Sequence, residues 1–409
     1  MNDPSAPATR RLFTPALVLI LAVLAGYCLL ALQPGWRRRL GLIDDGMWFL
    51  DSYAILASSD AVQAGLDPAQ PNPLDVYHRP HSYSNWWFLL GKLGLSRQDN
   101  FLVGGSWVLA FVGLGLMALH PRTFREAGVG AMVLLAPPVL LAVNRANNDL
   151  VVFILLAAGL RCLLDSRPWR LAVFAVLLVL AAGLKFYPLV AGLALLLVRP
   201  PGLMLKAAAV TVLAGGVVLA SVWTDFQRAV ILAPTEVYTF GGPIIFRDLG
   251  WTGRAPLLAG ATLLGLAAWA CFRRGWLVRL DEAAGDFRER CAFAAGAALL
   301  VGCFLAGISY SYRLVFMVFL VPLLWRQIAS PAAKWTGLLL LATLWLDGLY
   351  CLGANIFIGP MPLPELVHYQ LVWRFVTQPI IWAAMVLLAG SLLGMLQAAM
   401  KDLRKRTAA

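Results

Sequence analysis

The sequence predicts an all-α polytopic membrane protein. Apolar residues occupy 60% of its 409 positions and charged residues only 13%, whereas a soluble domain usually has about 45–50% apolar and about 25% charged residues. The apolar residues are concentrated in about twelve runs, which is typical of membrane-spanning helices. We therefore expect a single integral-membrane domain over residues 1–409, with a large helical external loop over residues 33–100.

The apolar runs provide the predicted transmembrane segments. They cover residues 12–32, 101–119, 127–143, 149–164, 170–184, 186–198, 207–223, 256–272, 291–309, 314–325, 335–352 and 372–396. The first run follows Arg10 and Arg11, as the core of a signal peptide would. It is too long for such a core and lacks a small-residue cleavage pattern, so we interpret it as an uncleaved helix.

The positions of the basic residues predict the orientation. Twelve spans place both termini on one side, and most Lys and Arg residues then fall in short connections on that side. Short connections rich in positive charge mark the cytoplasmic face, and a long loop can translocate regardless of its charge. The net charge of +12 therefore reflects topology rather than nucleic-acid binding. We expect both termini in the cytoplasm and the loops 33–100, 224–255 and 353–371 outside.

Two places in the chain interrupt the pattern of spans. Residues 171–184 and 186–198 form runs of only 14 and 13 residues, and each would extend only about 20 Å through a hydrocarbon core about 30 Å thick. We predict a broken or re-entrant hairpin with Lys185-Phe186-Tyr187-Pro188 at its tip, and a second break at Pro137-Pro138. Such backbone is tolerated inside protein or beside water, so we expect a cavity that opens outward.

The first external loop contains the candidate catalytic carboxylates. Asp51 begins a predicted amphipathic helix that ends near Gly65. An acidic residue there can simply stabilise the start of a helix, or it can accept a proton from a hydroxyl group at the membrane surface. Asp44 and Asp45 compete for the second role. If both of these neighbours were buried, their repulsion would raise the pKa of one of them.

Several charged residues in or beside apolar segments are candidates for substrate binding. Arg145 and Asp149 belong to a turn that could serve only to cap a helix, but a guanidinium group also suits a phosphate. Arg313 could extend its charge to the interface or bind the phosphate of a lipid carrier, with Tyr312 packed on the sugar or on the prenyl chain. Lys185 has the same two roles open to it, and Tyr187 stands beside it at the hairpin tip. An ionisable residue at membrane depth is costly and indicates a functional site.

The remaining candidates are aromatic and histidine residues of the first loop. Trp86 and Trp87 suit either the membrane interface or the face of a sugar ring. His81 is a candidate sugar-binding residue and a possible second acid or base. Two nearby histidines do not make a metal site, and none of the six cysteines lies in a long polar loop, so neither a metal nor a disulfide framework is implied.

Three stretches of the sequence resemble a known family. They are Asp51 followed by Ala61-Val62-Gln63-Ala64-Gly65-Leu66-Asp67-Pro68, the stretch from Asn147-Asn148-Asp149 to Lys185-Phe186-Tyr187-Pro188, and Ser311-Tyr312-Arg313-Leu314-Val315-Phe316. Together they resemble the integral-membrane glycosyltransferases of the GT-C class. Within that class they are most similar to glycosyltransferase family 87, the type that uses polyprenyl-phosphate mannose.

The resemblance implies both a reaction and roles for individual residues. It implies transfer of a sugar, with mannose favoured, from a polyprenyl-phosphate donor to a hydroxyl group of a glycolipid or glycan at the outer face of a bacterial inner membrane. Asp51 would be the general base, although Ile55-Leu56 occupies the place where the family has a tyrosine pair. Arg313 or Lys185 would bind the phosphate. The reaction would invert the anomeric carbon and need no metal or other cofactor.

A transporter or flippase of a lipid-linked sugar is the alternative. It would share the cationic residues and the amphipathic cavity, and it predicts paired broken helices in an internal repeat. The sequence shows one broken hairpin, over 171–198, and no counterpart to it in the second half. The long first loop also lacks a partner. These two observations favour an enzyme.

Overall fold

A computed structural model describes residues 14–40, 42, 47–163, 165, 167–232, 240–306, 310–357 and 363–407. These residues form seventeen α-helices and five 3₁₀ helices, and no strand occurs among them. An all-α fold is therefore confirmed for the part of the chain that the structure describes.

The α-helices differ widely in length. They are α1 (Pro15–Leu32), α2 (Pro34–Arg39), α3 (Leu50–Gln63), α4 (Leu89–Lys92), α5 (Asn100–Leu119), α6 (Phe124–Leu134), α7 (Pro137–Arg145), α8 (Asp149–Cys162), α9 (Pro168–Lys185), α10 (Pro201–Ser221), α11 (Trp223–Leu232), α12 (Ile244–Asp248), α13 (Ala255–Arg273), α14 (Phe287–Ala306), α15 (Val321–Arg326), α16 (Pro331–Phe357) and α17 (Leu363–Thr407). The 3₁₀ helices are Asn85–Phe88, Arg97–Asp99, Tyr187–Leu197, Glu282–Ala284 and Ser311–Phe319.

Among the described residues, seven α-helices are long and apolar enough to cross a membrane: α1, α5, α9, α10, α13, α14 and α17. Helices α6 and α7 form an eighth candidate if they are taken together as one bent span. The chain is thus a multi-pass membrane protein. The predicted count of twelve spans is not confirmed.

Several apolar runs that the sequence suggested as spans are short or irregular elements. Helix α8 has 14 residues, and two apolar runs are 3₁₀ helices of 11 and 9 residues. We call Tyr187–Leu197 the first 3₁₀ segment and Ser311–Phe319 the second. Both pack against α14, a helix most of whose residues are buried. The second segment is buried along most of its length and the first along about half, although Val190 in the first is exposed. Hydropathy alone cannot tell whether such an apolar run is surrounded by protein or by lipid.

The prediction of a short, re-entrant hairpin over 171–198 is wrong for its first arm, which is long enough to cross a membrane. Helix α9 begins at Pro168, where the fixed φ of proline suits a first helical position, and its 18 residues are enough for a span. The chain then turns at Phe186, which has a φ of 63°, and continues as the first 3₁₀ segment. The second arm is short, as predicted, and Lys185 lies at the turn. The second 3₁₀ segment provides a short irregular element in the second half of the chain, where the sequence had indicated none.

Two other local predictions are confirmed. Helices α6 and α7 meet at an angle of 55° just before Pro137-Pro138. In the first loop, α3 runs from Leu50 to Gln63, and Gly65 beyond it has a φ of 79°, a conformation that glycine adopts without strain. Asp51 lies in the first turn of α3.

The long first loop, over residues 33–100, is docked on α9. The indole nitrogen of Trp87 donates a hydrogen bond to the backbone oxygen of Leu184 at 3.1 Å. The Trp86 ring lies so close to Gly183 that an added Cβ would stand within 2.7 Å of three of its carbon atoms. This close approach requires a residue without a side chain at position 183. The contact brings the loop to the end of α9, beside Lys185.

Candidate active site

The ends of several elements bring charged side chains together at one place. Helix α3 supplies Asp51, the α7–α8 turn supplies Arg145, Asn147 and Asp149, the end of α9 supplies Lys185, and the start of the second 3₁₀ segment supplies Arg313. We call these six residues the polar cluster. The α7–α8 turn is tight because Ala146 adopts a left-handed conformation, with a φ of 42°.

Asp51 is the buried carboxylate that joins the first loop to the helices. Its side chain is only 4% exposed and its oxygens accept several hydrogen bonds. Arg145 donates from Nη2 at 2.9 Å to Oδ1 and from Nε at 3.1 Å to Oδ2, and Asn147 Nδ2 donates to Oδ2 at 2.6 Å. Arg79 lies 3.7 Å from Oδ1. Burial alone would raise the pKa of Asp51, but the Arg145 charge and these hydrogen bonds outweigh it and lower the pKa below its ordinary value.

Asn147 links the two halves of the polar cluster. Its Nδ2 atom donates to Asp51, while its Oδ1 atom accepts from Lys185 Nζ at 3.3 Å and from the backbone N–H of Asp149 at 2.9 Å. Lys185 Nζ also donates to Oδ1 of Asn148. The two asparagines thus hold Lys185 and the carboxylates in one hydrogen-bonded network.

Asp149 is the second buried carboxylate, and it is fully enclosed. Lys185 Nζ lies 2.6 Å from its Oδ1 atom, and the Tyr187 hydroxyl also donates to Oδ1. Arg313 Nε lies 4.0 Å from Oδ2. Asp149 is the first residue of α8, where the helix dipole also favours a negative charge. A carboxylate at the start of a helix and two cations from distant segments therefore stabilise one another.

Tyrosine rings surround the cations. Lys185 Nζ lies 5.8 Å from the centroid of the Tyr83 ring and 5.5 Å from that of Tyr312. The Arg313 guanidinium stands 4.8 Å above the centroid of the Tyr187 ring. Such contacts attract cations to the ring face.

The polar cluster lies at the end of the helices opposite the basic connections. Helix α8 starts in the cluster at Asp149 and ends at Cys162, close to Arg161 and Arg167. Helix α9 starts next to Arg167 and ends in the cluster at Lys185. The cluster is therefore on the face that the charge pattern predicts to be external.

The structure brings together most of the residues that the sequence singled out. Asp51, Arg145, Asp149, Lys185 and Arg313 meet in the polar cluster, with Tyr187 and Tyr312 beside it. The two other candidate bases, Asp44 and Asp45, lie outside the described residues.

Four further contributors were not among the residues assigned a role from the sequence: Asn147, Asn148, Arg79 and Tyr83. Arg79 and Tyr83 belong to the histidine-rich and aromatic stretch of the first loop that the sequence did indicate as a whole. The asparagines had been interpreted as parts of a turn. Arg79 pairs with Asp75 at 2.7 Å, and the four-residue spacing of this pair was the signal that could have pointed to it. Tyr83 lies in an aromatic run whose individual contacts the sequence does not reveal.

His81 is placed behind the cluster rather than in it. Its ring is buried, its Nε2 atom lies 3.2 Å from the Ser84 backbone oxygen, and its ring centroid is 5.9 Å from that of Tyr83. Burial and the positive charge of Arg228 lower the pKa of His81 to about 4, although the hydrogen bond to Ser84 opposes this shift. The imidazole is therefore neutral at pH 7.

The buried neutral His81 predicts a dependence of stability on pH. Unfolding restores an ordinary pKa of 6.5, so between pH 6.5 and pH 4 the unfolded chain binds a proton that the folded chain does not. The contribution of His81 to the free energy of unfolding should be fully present above pH 6.5. It should decrease as the pH falls towards 4, by about 3 kcal/mol in total.

Unfolding of the detergent-solubilised protein between pH 4 and pH 7.5 tests this expectation. His81→Gln should flatten the pH dependence. The matched control is His78→Asn at an exposed position, where the backbone has a positive φ that asparagine tolerates. An unchanged slope in His81→Gln would show that other groups cause the acid sensitivity.

Among the described residues, no group of three or more His, Cys, Asp or Glu side chains could hold a metal ion. The chemical groups that the polar cluster offers to a substrate are carboxylates, cations, amides and the neighbouring tyrosines.

The comparisons with known proteins identify the family. The sequence profile of glycosyltransferase family 87 matches residues 100–306, which cover half of the chain and include the α7–α8 turn, α9 and Lys185. The chain belongs to glycosyltransferase family 87. It is thus a membrane glycosyltransferase, as the sequence resemblance implied.

The matched region of this glycosyltransferase does not contain its whole polar cluster. It includes Arg145, Asn147, Asp149 and Lys185 but ends before Arg313, and it begins after Asp51. Comparison with curated proteins and with solved structures found no match. The roles of the two residues outside the matched region therefore depend on the geometry described above.

Proposed function

We propose that this glycosyltransferase moves a sugar, with mannose favoured, from a polyprenyl-phosphate donor to a hydroxyl group of a glycolipid or glycan. The reaction takes place at the outer face of a bacterial inner membrane, and both termini lie in the cytoplasm. One observation carries the proposal: the buried carboxylate of Asp51 is within hydrogen-bond distance of the same turn that orients Lys185 and Arg313.

The cations of the cluster suit a phosphodiester. Arg145, Lys185 and Arg313 all reach the same place in the fold, where they pair with Asp51 and Asp149. A polyprenyl-phosphate sugar carries one negative charge, and guanidinium and ammonium groups can donate charge-assisted hydrogen bonds to its phosphate. These cations therefore favour binding of such a donor over a neutral glycan donor.

The proposed reaction is a single displacement. Asp51 accepts the proton of the acceptor hydroxyl, the acceptor oxygen forms a bond to the anomeric carbon, and the bond from that carbon to the phosphate oxygen breaks. The electron pair leaves with the polyprenyl phosphate, on which negative charge increases. Lys185 and Arg313 stabilise that charge, as preorganised cations do in other transfer reactions. Attack opposite to the leaving group inverts the configuration.

Arg145 has a second part in this proposal. It donates hydrogen bonds to both oxygens of Asp51 and lowers the pKa of the carboxyl. A carboxylate with a low pKa is a weak general base. A donor phosphate competes for the same guanidinium, because two charge-assisted hydrogen bonds to phosphate can replace those to carboxylate. Donor binding would thereby release Asp51 to accept the acceptor proton.

The test is a transfer assay with the purified protein in lipid nanodiscs. Polyprenyl phosphates carrying mannose, glucose or galactose are supplied with membrane lipid extract as acceptor, and nucleotide sugars serve as control donors. We expect transfer from the mannose donor with inversion, measured by mass spectrometry and by NMR of the product. Transfer from nucleotide sugars alone would contradict the proposed donor class, and a product of retained configuration would contradict the mechanism.

A further inference from the structure

A cavity with charged residues in its lining lies at the end of the helix bundle opposite the polar cluster. It has a volume of about 600 Å³, within the range of about 300–1,000 Å³ that is usual for small-molecule sites. Its walls come from the end of the first 3₁₀ segment, the connection between α13 and α14, the start of α14 and the last turns of α17. We call it the basic-face cavity.

The basic-face cavity is remote from the polar cluster. The first 3₁₀ segment starts at Tyr187 beside the cluster and ends at the cavity, where Leu196 and Leu197 line it. Helix α14 starts near the cavity and ends just before the second 3₁₀ segment, and its 20 residues extend about 30 Å. The two sites therefore lie towards opposite faces of the membrane.

The cavity is amphipathic. Its apolar wall includes Leu197, Leu277, Met395 and Ala399, whereas six charged side chains lie around the rest. These six are Arg199, Arg279, Arg290, Asp281, Glu282 and Asp402. Arg199 is paired with Asp402 at 2.6 Å, and Arg279 with Asp281 at 2.7 Å. These two pairs account for four of the six charges. The other two are Glu282, which is exposed to solvent, and Arg290, which is buried.

Arg290 is the residue that indicates a ligand. It lines the cavity but is only 8% exposed. Within the described part of the chain it forms no ion pair, and its one side-chain hydrogen bond runs from Nη1 to the Leu280 backbone oxygen at 3.3 Å. Its buried Nε atom has no hydrogen-bond partner there. Its guanidinium carbon also lies 5.8 Å from the centroid of the Phe287 ring, a contact that satisfies none of its hydrogen-bond donors. Buried charges in proteins are normally paired, and buried hydrogen-bond donors are normally satisfied. The buried guanidinium of Arg290 therefore indicates a site for an anion.

We propose that the basic-face cavity binds the phosphodiester headgroup of an anionic phospholipid, with Arg290 as its principal cation. A guanidinium group can donate two parallel hydrogen bonds to a phosphate. The apolar wall accepts the start of the acyl chains, which a free phosphate lacks. Basic pockets between helices on the cytoplasmic side of a membrane are suited to such headgroups. The bound lipid would join the first 3₁₀ segment, α14 and α17 at this face.

The test is native mass spectrometry of the delipidated full-length protein in mild detergent. Phosphatidylglycerol is titrated in parallel with phosphatidylcholine, and inorganic phosphate is added as a competitor. We expect phosphatidylglycerol to bind at least about tenfold more tightly than phosphatidylcholine, with little competition from phosphate. Arg290→Gln should weaken its binding by about tenfold or more, since it removes a charge-assisted hydrogen bond.

The matched control is Arg274→Gln, which removes the same charge from an exposed position in the neighbouring connection and should leave binding unchanged. Ala398→Trp provides a second variant, because this exposed residue lines the cavity and a larger side chain would occupy it. It should also weaken phosphatidylglycerol binding, even if Arg290→Gln does not fold.

Two results would overturn the proposal. One is equal binding of phosphatidylglycerol to the wild type and to Ala398→Trp. The other is complete displacement by inorganic phosphate at equal concentration, which would assign the site to a free anion. Neither result depends on sugar transfer, so the lipid site and the proposed function can fail separately.

Discussion

Asp51→Asn is expected to lower the turnover number of sugar transfer by about 10²–10⁴-fold, the range typical for loss of a general base. Asparagine keeps the size of the side chain and can still accept a hydrogen bond from Arg145, but it cannot take up the acceptor proton. Donor binding should persist, because Lys185 and Arg313 remain in place. The measurement is the initial rate in nanodiscs at saturating donor, together with the donor Kd.

The matched control for this prediction is Asp67→Asn. Asp67 is an exposed residue of the same loop, and its side chain accepts a hydrogen bond from the Ala69 backbone N–H at 2.9 Å, which asparagine can also accept. This variant should keep full activity. Transfer that survives in Asp51→Asn would exclude Asp51 as the base and would move the role to Asp44 or Asp45.

Asp149→Asn is expected to destabilise the folded protein by about 3–5 kcal/mol, because removal of one member of a buried ion pair leaves the other charge uncompensated. The Lys185 ammonium would keep its hydrogen bonds to Asn147 and Asn148 but lose its counter-charge. The same change also removes the carboxylate that lies 4.0 Å from Arg313 Nε. Unfolding of the purified protein in detergent measures the loss.

A double variant separates charge from packing. Asp149→Asn combined with Lys185→Met removes both charges, so it should be less destabilised than the sum of the two single variants. Asp165→Asn is the control, since Asp165 is partly exposed and pairs with Arg167 at 3.1 Å. Loss of such a surface pair should cost at most about 1 kcal/mol. Strictly additive single changes would show that Lys185 and Asp149 do not stabilise each other.

Local chemistry explains which parts of the fold were predictable. The helix that starts at Asp51 and stops before Gly65, and the break before Pro137-Pro138, both depend on residues that act within a few positions of themselves. Gly65 allows the positive φ just after α3, and the prolines remove backbone hydrogen-bond donors at the break between α6 and α7. Such signals are contained in short stretches of sequence.

The count of spans was not predictable in the same way. Helix α8 and the two 3₁₀ segments are as apolar as true spans, but they are short and pack against protein. Hydropathy records how readily a segment leaves water, and this preference is satisfied by a protein interior as well as by lipid. The helix α9 was predicted too short because Pro168 was not recognised as its first residue.

The candidate site was predictable as a set of residues but not as an arrangement. A charge in an apolar segment is costly, so Lys185 and Arg313 could be selected from the sequence, along with Asp149 and Arg145 beside the apolar runs. Which carboxylate faces which cation could not be predicted, since Asp51 and Arg145 are 94 positions apart. Asn147 was undervalued for the same reason, because a turn residue shows its long-range contacts only in three dimensions.

The sequence by itself determined that this chain is an all-α membrane protein with its charges at the helix ends, and it indicated the glycosyltransferase family. These properties follow from composition and from short motifs. Only the tertiary structure decided that α3 of the first loop places Asp51 on the α7–α8 turn, and that Arg290 is buried beside a cavity. The physical reason is that ion pairs and enclosed volumes form between segments distant in the chain, and no local pattern encodes their geometry.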